Sequence, residues 1–233
     1  MEPLIDIHTL RYSPDGDAAV RVEFGHAIDP RVNRRVHGFC AALADADIDG
    51  VLEFVPAYAV ATVYYNPVEI EYDALVDRLS ELVQPDTAAT ARGVAVVEVP
   101  VVYGGEFGPD LARVAQTRGL TVEMAVALHS RRDYLCYMIG FMPGFPYLGE
   151  LPAELRMPRL ETPRTRVPAG SVAIADAQTG IYPGETPGGW NIIGRTPMQL
   201  FDPKASVPSV IRPGDTVRFV PIDEMEFARL ATP

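Results

Sequence analysis

The sequence has little lysine, cysteine and tryptophan. Of its 20 basic residues only Lys204 is a lysine, and the chain holds two cysteines and one tryptophan. A phosphate-binding loop of the GxxxxGK[ST] type needs a lysine after its glycines, and Lys204 follows no such loop. The same scarcity disfavours a Schiff-base lysine. Cys40 and Cys136 lie far apart in apolar settings, which predicts buried free thiols of a cytosolic protein.

Positive charge and long apolar runs are also scarce. The formal net charge is −11, and we expect no nucleic-acid partner because a phosphate backbone is bound by basic surfaces. No run of about 18 apolar residues occurs, so no membrane association is expected. The first residues, MEPLIDIHTLRYSP, lack the basic region and apolar core of a signal peptide, and we expect a cytoplasmic location.

Common catalytic and metal-binding motifs are missing. There is no GxSxG, HExxH or CxxC motif, and no glycine-rich stretch has the strand–GxGxxG–helix context of a dinucleotide site. His8, His26 and His37 are scattered at spacings that fit no metal motif, and we expect no metal site.

The first 90 residues alternate between strand and helix patterns. Residues 17–24 alternate at period two, as a half-buried strand does. Asp29 and Pro30 are an N-cap and a first-turn proline, followed by an apolar helical face. Further strands are predicted at 51–55 and 59–65, a second helix at 72–83 and a polar linker at 84–91. The order β-β-α-β-β-α predicts a ferredoxin-like α/β sandwich as domain 1–90.

Residues 91–233 follow a different pattern. The loop YGGEFGP opens a helix that ends at Gly119, and a second short helix is predicted from Thr121. After Arg132 the helical pattern disappears, and short apolar runs alternate with Gly/Pro turns. Strands are predicted at 94–99, 171–175, 198–201 and 216–220, the last after the turn RPGD at 212–215. Many short strands with dense turns predict a closed or sandwiched β architecture.

The segment GFMPGFPYLG at 140–149 is apolar yet unsuited to a helix. Its prolines remove backbone donors, and its glycines indicate sharp bends. A solvated loop would not carry Phe141, Met142, Phe145, Tyr147 and Leu148 together. We therefore expect the segment to be partly buried, against a core, a pocket or a partner surface.

Several arginines follow this segment: Arg156, Arg159, Arg164, Arg166 and Arg195. Two interpretations stay open for them. The arginines solvate the rim of a structure shaped by prolines and glycines, or they form a small-anion pocket, since arginine binds carboxylates through two N–H groups and aromatic rings exclude water.

Arg164 and Arg166 are predicted to act as a pair. In the extended segment TPRTRVP, residues i and i+2 project from the same face. Two like charges held side by side are unfavourable unless an anion lies between them. We predict an anion site there that matters more for function than for folding. The alternative is a pair of solvated residues, or salt bridges to Glu161 or Asp176.

Four long runs resemble the family that contains the B subunit of 5-oxoprolinase, together with Kip-type inhibitors of histidine kinases and allophanate hydrolase subunit 1. These runs are YGGEFGPDL, GFMPGFPYLGELP, TPRTRVPAGSVAIADAQTGIYP and TPGGWNIIGRTP. The resemblance covers residues 12–227 and is densest at 100–219. One departure is Gly184, where a bulkier residue is expected after the IYP run.

The resemblance implies an N-terminal α/β domain and, at 91–233, a cyclophilin-like β-barrel domain. It also implies two different partners, the C and A subunits of 5-oxoprolinase. The complete complex hydrolyses 5-oxo-L-proline to L-glutamate at the expense of ATP. The nucleotide is used by the complex, and the chain alone is expected to be inactive.

For such a reaction the anionic intermediates need fixed donors and a proton-transfer group. His129 and Glu106 are the candidate catalytic residues, although His129 on a helix face also fits a core histidine. The candidate substrate-binding residues are Arg164, Arg166, Gln178, Arg195, Phe141, Phe145, Tyr182 and Trp190. Trp190 fits a core position equally well.

Two other functions stay open because fold alone does not decide function. One is a protein inhibitor of a histidine kinase. The other is half of a biotin-dependent carboxyltransferase or allophanate hydrolase-like complex. Lys204 lies in FDPKAS, not beside a methionine, so in that case another chain would carry the biotin.

Overall fold

The computed structural model describes residues 10–83 and 96–231. The predicted linker at 84–91 and His8 lie outside these ranges. By internal contacts the chain divides into two compact units, Met1–Gly93 and Val94–Pro233, which are described separately. The domain limits at residues 90 and 91 stay predictions.

The first unit is a four-stranded sheet with two helices, in the predicted order β-β-α-β-β-α. Its elements are β1 Arg11–Pro14, β2 Ala19–Glu23, α1 Pro30–Ala46, β3 Val51–Pro56, β4 Val60–Tyr65 and α2 Tyr72–Glu81. The strands lie in the order β1-β2-β4-β3, and all neighbours are antiparallel. The α+β class predicted for the chain is confirmed.

Helix α1 begins where its sequence predicts. The Asp29 carboxylate accepts a hydrogen bond from the Arg31 amide at 2.7 Å, and Pro30 occupies the first turn. Val32, Val36 and Leu43 form the buried stripe, facing the core that also holds Val20 and Val63.

The second unit contains a closed seven-stranded barrel, in the order β10-β7-β6-β13-β5-β12-β9. These strands are β5 Val96–Tyr103, β6 Asp133–Ile139, β7 Pro146–Gly149, β9 Ser171–Ala175, β10 Gln178–Ile181, β12 Asn191–Arg195 and β13 Thr216–Pro221. Strands β5 and β13 pair in parallel, and the other neighbours are antiparallel. The predicted C-terminal barrel is confirmed, and closure leaves it without open sheet edges.

Smaller elements surround the barrel. A two-stranded sheet joins β8 Arg164–Val167 to β11 Thr186–Gly188, and the helices are α3 Leu111–Thr117, α4 Val122–Ser130 and α5 Glu224–Leu230. Apolar side chains that alternate along the strands fill the barrel, among them Val99, Val101, Ile174 and Phe219. Within the described residues no helix has the length and apolar character needed to cross a membrane.

Two predictions for this unit were wrong. Residues 198–201 form no strand: Phe201 makes one isolated bridge to Ser209, and prolines at 197 and 203 flank the run. Helix α5 follows Arg132, where no further helix was expected. The Asp223 carboxylate caps this helix by accepting a hydrogen bond from the Glu226 amide at 2.8 Å. The helix has no buried residue, so its sequence carries no amphipathic pattern by which it could be predicted.

The predicted buried free thiols are confirmed. Cys40 is packed in the core of the first unit and Cys136 in the core of the barrel, and neither forms a disulfide. Burial raises the pKa of the Cys40 thiol to about 12, and burial likewise raises the pKa of Cys136. Both thiols are therefore poor nucleophiles at neutral pH.

Candidate functional site

The segment at 140–149 forms the turn after β6 and continues into β7, and it is partly buried, as predicted. Phe145, Pro146 and Leu148 are buried, whereas Phe141 is 60% exposed. Gly144 has a φ of 79°, and a Cβ there would lie 2.7 Å from the Cβ of Phe201. A glycine is required at this turn because its backbone approaches Phe201 so closely.

Phe145 stands at the centre of an aromatic cluster. Its ring centroid lies 5.0 Å from that of Tyr147, 5.1 Å from Tyr182 and 5.5 Å from both Trp190 and Phe141, with the rings edge to face. These five residues are named the aromatic cluster below. The structure thus brings together the predicted residues Phe141, Phe145, Tyr182 and Trp190, with Phe141 at the solvent edge.

Arg159 lies over this cluster. Its guanidinium carbon is 6.0 Å from the centroid of the Trp190 ring. Two hydrogen bonds fix the backbone on either side of Arg159: the Leu160 amide donates to the Gly189 carbonyl at 2.7 Å, and the Asn191 side chain donates to the Pro158 carbonyl at 2.9 Å. The arginine is therefore anchored to the residues that flank Trp190.

Arg164 reaches the same region from β8. Its Cα is paired with that of Gly188 on β11, and a Cβ on Gly188 would lie 2.5 Å from the Tyr182 hydroxyl oxygen. Arg164 thus stands on the strand beside the glycine that abuts Tyr182.

A buried carboxylate, Asp110, holds Arg164. The Asp110 side chain is 7% exposed; its Oδ1 accepts from Arg164 Nη2 at 2.9 Å, and its Oδ2 accepts from the Ile192 amide at 2.7 Å. Arg113 donates to Asp110 at 3.4 Å and also to the Asn191 side-chain oxygen. A continuous network therefore links Arg164 through Asp110, Arg113 and Asn191 to the Pro158 carbonyl.

Sequence reasoning did not identify Asp110 as a site residue. Its position after Pro109 at the start of α3 suggests a helix cap, but the carboxylate makes no capping hydrogen bond. A signal was nevertheless present, since Asp110 belongs to YGGEFGPDL, one of the runs that carry the family resemblance.

Arg166 forms a salt bridge with a different acid from the one that binds Arg164. Its side chain is 75% exposed, and Nε donates to Glu185 Oε2 at 2.7 Å. Each arginine of the predicted pair therefore has an acid of its own, Asp110 or Glu185, and neither acid is the expected Glu161 or Asp176. The joint anion site at Arg164 and Arg166 stays a prediction.

Nearby arginines affect the pKa values of the two tyrosines in the aromatic cluster. Burial raises the pKa of Tyr182, while the Trp190 backbone and the charges of Arg159 and Arg164 act in the opposite direction. Burial also raises the pKa of Tyr147, again opposed by Arg159. Both hydroxyls stay protonated at neutral pH, and a protonated Tyr182 hydroxyl can donate a hydrogen bond beside the arginines.

His129 is enclosed in the barrel unit. Its ring is fully buried, with Nδ1 2.8 Å from the Tyr103 hydroxyl and Nε2 2.9 Å from the Thr179 hydroxyl. Because Thr179 donates to the Ala173 carbonyl, the hydrogen-bond pattern assigns the proton to Nε2. Burial lowers the pKa of His129 to about 3, so the ring is neutral. This position favours the core interpretation, and the catalytic role stays a prediction.

The remaining predicted residues lie elsewhere in the unit. Glu106 is exposed in the loop before α3, and Gln178 begins β10 opposite Gly149 and Ala175. Arg195 ends β12, on the order of 15 Å along the strand from Trp190, with its guanidinium carbon 5.6 Å from the Phe107 centroid. Their catalytic or binding roles stay predictions.

Gly184, where the family resemblance predicts a bulkier residue, has room for a larger side chain. A Cβ there would meet only the terminal methyl of Met142, at 3.1 Å. Because that methyl is the end of a flexible side chain, a larger residue could be accommodated by a shift of Met142.

An α/β unit followed in the chain by a barrel unit agrees with a family comparison. Residues 10–211 match the model of the carboxyltransferase domain, subdomains C and D, and the chain belongs to this family.

The relatives are more specific. The chain is 41% identical to the B subunit of 5-oxoprolinase from Bacillus subtilis, over 94% of this chain and 96% of that protein. It is 43% identical to the B subunit of 5-oxoprolinase from Escherichia coli O157:H7, over 90% of this chain and 94% of that protein. The family predicted from the four sequence runs is confirmed.

Solved structures support the fold. The chain is similar to TTHA0988, with a TM-score of 0.79 and 41% identity over 88% of this chain, but it spans only 40% of that protein. It matches all of PH0987 from Pyrococcus horikoshii, with a TM-score of 0.56 and 44% identity over 93% of this chain. Urea amidolyase of K. lactis shares the fold, with a TM-score of 0.76 over 94% of this chain and 15% of that enzyme, at 17% identity.

Proposed function

We propose that this chain is the B subunit of an ATP-dependent 5-oxoprolinase, which acts with the A and C subunits to convert 5-oxo-L-proline to L-glutamate. The observation that carries the proposal is the 41% identity to the corresponding 5-oxoprolinase protein of Bacillus subtilis over nearly the full length of both chains. The composition supports a cytoplasmic location for such a complex.

We assign the binding of an anionic substrate to the arginines at the solvent edge of the aromatic cluster, where Phe141 is exposed. Aromatic rings offer an apolar face and exclude water, which strengthens hydrogen bonds to a carboxylate or an oxyanion. Arg164 and the Tyr182 hydroxyl are donors at this edge. Fixed donors contribute to catalysis by stabilising negative charge where it develops. The proton-transfer group is assigned to the complete complex, since His129 is buried and Glu106 stands apart in an exposed loop.

Lys204 and two of the loop glycines, Gly108 and Gly194, do not fit a nucleotide site. Lys204 is exposed, in a turn where its amide donates to Asp202 at 2.9 Å. Gly108 packs against the Ile193 carbonyl. A Cβ added to Gly194 would lie 2.6 Å from Cγ1 of Val101. Because these glycines serve close packing of the chain on itself, they offer no open phosphate cradle. We assign ATP to another member of the complex.

Co-expression tests this proposal. The chain is purified alone and together with the candidate A and C subunits from the same genome, and glutamate release from 5-oxoproline is measured with and without ATP. We expect ATP-dependent release from the complex and none from the chain alone. Release by the isolated chain would contradict the shared active site, and an inactive, correctly assembled complex would contradict the function.

A carboxyltransferase is the second candidate, favoured by the description of the matching family model. It predicts transfer of a carboxyl group from a biotin carried by another chain. The same assembled complex distinguishes the two reactions when it is supplied with labelled carboxybiotin, because the label enters the product only in carboxyl transfer, with biotin as the leaving group. No observation on the described residues favours a histidine-kinase inhibitor.

A further inference from the structure

Arg159 was not among the predicted binding residues. Unlike Arg164 and Arg166, it has no acidic partner among the described residues, so its charge is available to a ligand. Arg164 is bound to Asp110 and Arg166 to Glu185. Within residues 10–83 and 96–231, the contact found for the Arg159 guanidinium is the Trp190 ring, and no carboxylate lies within ion-pair distance. A guanidinium on an aromatic ring keeps its N–H edge free to bind an anion.

The backbone on either side of Arg159 is held in place before any ligand arrives. Hydrogen bonds at Pro158 and Leu160 hold its backbone to Asn191 and Gly189. Asn191 is buried and is itself bound by Arg113, which also contacts Asp110. Such preorganisation reduces the conformational entropy that a binding site loses when it is occupied.

Arg164, whose charge acts on Tyr182 as that of Arg159 does, has an unused donor. Its Nη2 is taken by Asp110, whereas its Nη1 is buried without a hydrogen-bond partner among the described residues. A buried N–H of a charged group without an acceptor is costly, and an anion placed there would satisfy it. Arg164 is paired across the small sheet with Gly188, which abuts the Tyr182 hydroxyl.

We propose that Arg159 and Arg164, with the Tyr182 hydroxyl, bind the carboxylate of a small ligand at the solvent edge of the aromatic cluster. Arg159 therefore takes the place that the sequence suggested for Arg166. The inference rests on the proposed function for the identity of the ligand, 5-oxoproline.

The single tryptophan provides a direct assay of binding. The fluorescence of Trp190 is titrated in the full chain with 5-oxoproline, and with 2-pyrrolidinone, which has the same ring but no carboxylate. We expect a saturable change with 5-oxoproline and none with 2-pyrrolidinone. The absence of a saturable change with 5-oxoproline, or an equal response to both compounds, would overturn the proposal.

The variant that tests Arg159 is Arg159→Gln, and Arg156→Gln is its matched control. Arg156 lies three residues earlier, is 45% exposed, and is paired with Glu150 at 3.7 Å. Loss of a charge-assisted contact should weaken the binding of 5-oxoproline about tenfold or more in Arg159→Gln and leave Arg156→Gln like the wild type. Unchanged circular dichroism shows that both variants fold, and unchanged affinity in Arg159→Gln would refute the site.

Failure of the site and failure of the proposed function are distinguishable. If 5-oxoproline binds through Arg159 but the assembled complex releases no glutamate, the function is wrong and the carboxylate site stands. If the complex is active and Arg159→Gln leaves its KM and the binding by the free chain unchanged, the function stands and the site is wrong.

Discussion

Single buried polar residues organise the barrel unit. His129 and Asp110 were read from the sequence as a candidate base and as part of a motif, and both prove to be fully or nearly enclosed. A buried polar group must satisfy its hydrogen bonds inside the protein, so each of these residues fixes several others. His129 joins Tyr103 to Thr179, and Asp110 joins Arg164 to the Ile192 amide.

His129 should make the stability of the protein depend on pH. Its pKa is about 3 in the folded protein, below its ordinary value of 6.5. Between these values the unfolded chain binds the proton and the folded chain does not, so stability falls as pH decreases below 6.5. The loss is about 1.4 kcal/mol per pH unit.

Urea denaturation at pH 7 and pH 5 measures this effect. Wild type should lose about 2 kcal/mol more between the two pH values than His129→Gln, which has no titrating ring. His26→Gln removes an exposed histidine and should behave like the wild type. Equal pH dependence of His129→Gln and wild type would show that burial does not suppress protonation of His129.

The two acid–arginine pairs of β8 should differ in strength. Asp110–Arg164 is largely buried and Glu185–Arg166 is exposed. Double-mutant cycles with Asp110→Asn and Arg164→Gln should give a coupling free energy of roughly 1–3 kcal/mol, and cycles with Glu185→Gln and Arg166→Gln one below about 1 kcal/mol. The free energy of unfolding in urea is the measurement, and equal coupling in both cycles would contradict the assigned contacts.

At the scale of elements, strong helical periodicity predicted a helix correctly, whereas a short apolar run predicted a strand that does not form. Helix α1 carries a cap, a first-turn proline and an apolar stripe, all of which act locally. Residues 198–201 have the composition of a strand but make one bridge only. Helix α5 has caps and charges at its ends without a buried face. Pairing partners and burial are tertiary properties, which a local pattern does not contain.

The turn at Gly144 provides a prediction for the segment at 140–149. A Cβ at Gly144 would clash with Phe201, and the φ of 79° is itself unfavourable for other residues. Gly144→Ala should destabilise the protein by about 1–3 kcal/mol. Gly105→Ala is the control, because Gly105 also has a positive φ, 54°, but a Cβ there meets nothing within 4 Å.

Thermal unfolding of both glycine variants separates the two causes. Gly105→Ala reports the cost of the backbone conformation alone, about 1 kcal/mol. A larger loss in Gly144→Ala then measures the contact with Phe201. If the two variants lost the same stability, the close approach of the turn to Phe201 would be refuted.

At the scale of the whole molecule, each compact unit has a hydrophobic core of its own. We expect residues 94–233 to fold without the first unit, because their barrel is closed and its strands pair with one another. The fragment should unfold in one cooperative transition, with the same midpoint by Trp190 fluorescence and by circular dichroism. A fragment without a cooperative transition would show that the barrel needs the first unit to fold.

The sequence by itself determined the family, the α+β class, the order of elements in the first unit and the burial of the segment at 140–149. Each of these depends on local periodicity, turn residues or long motifs that are readable in order along the chain. Only the tertiary structure decided which charges meet. Asp110 and Arg164 lie 54 residues apart and Arg166 and Glu185 lie 19 apart, and barrel closure with strand pairing brings each acid to its arginine. The partner of a charge, and therefore the arginine left available for a ligand, is fixed by the register between distant strands, for which neighbouring residues carry no signal.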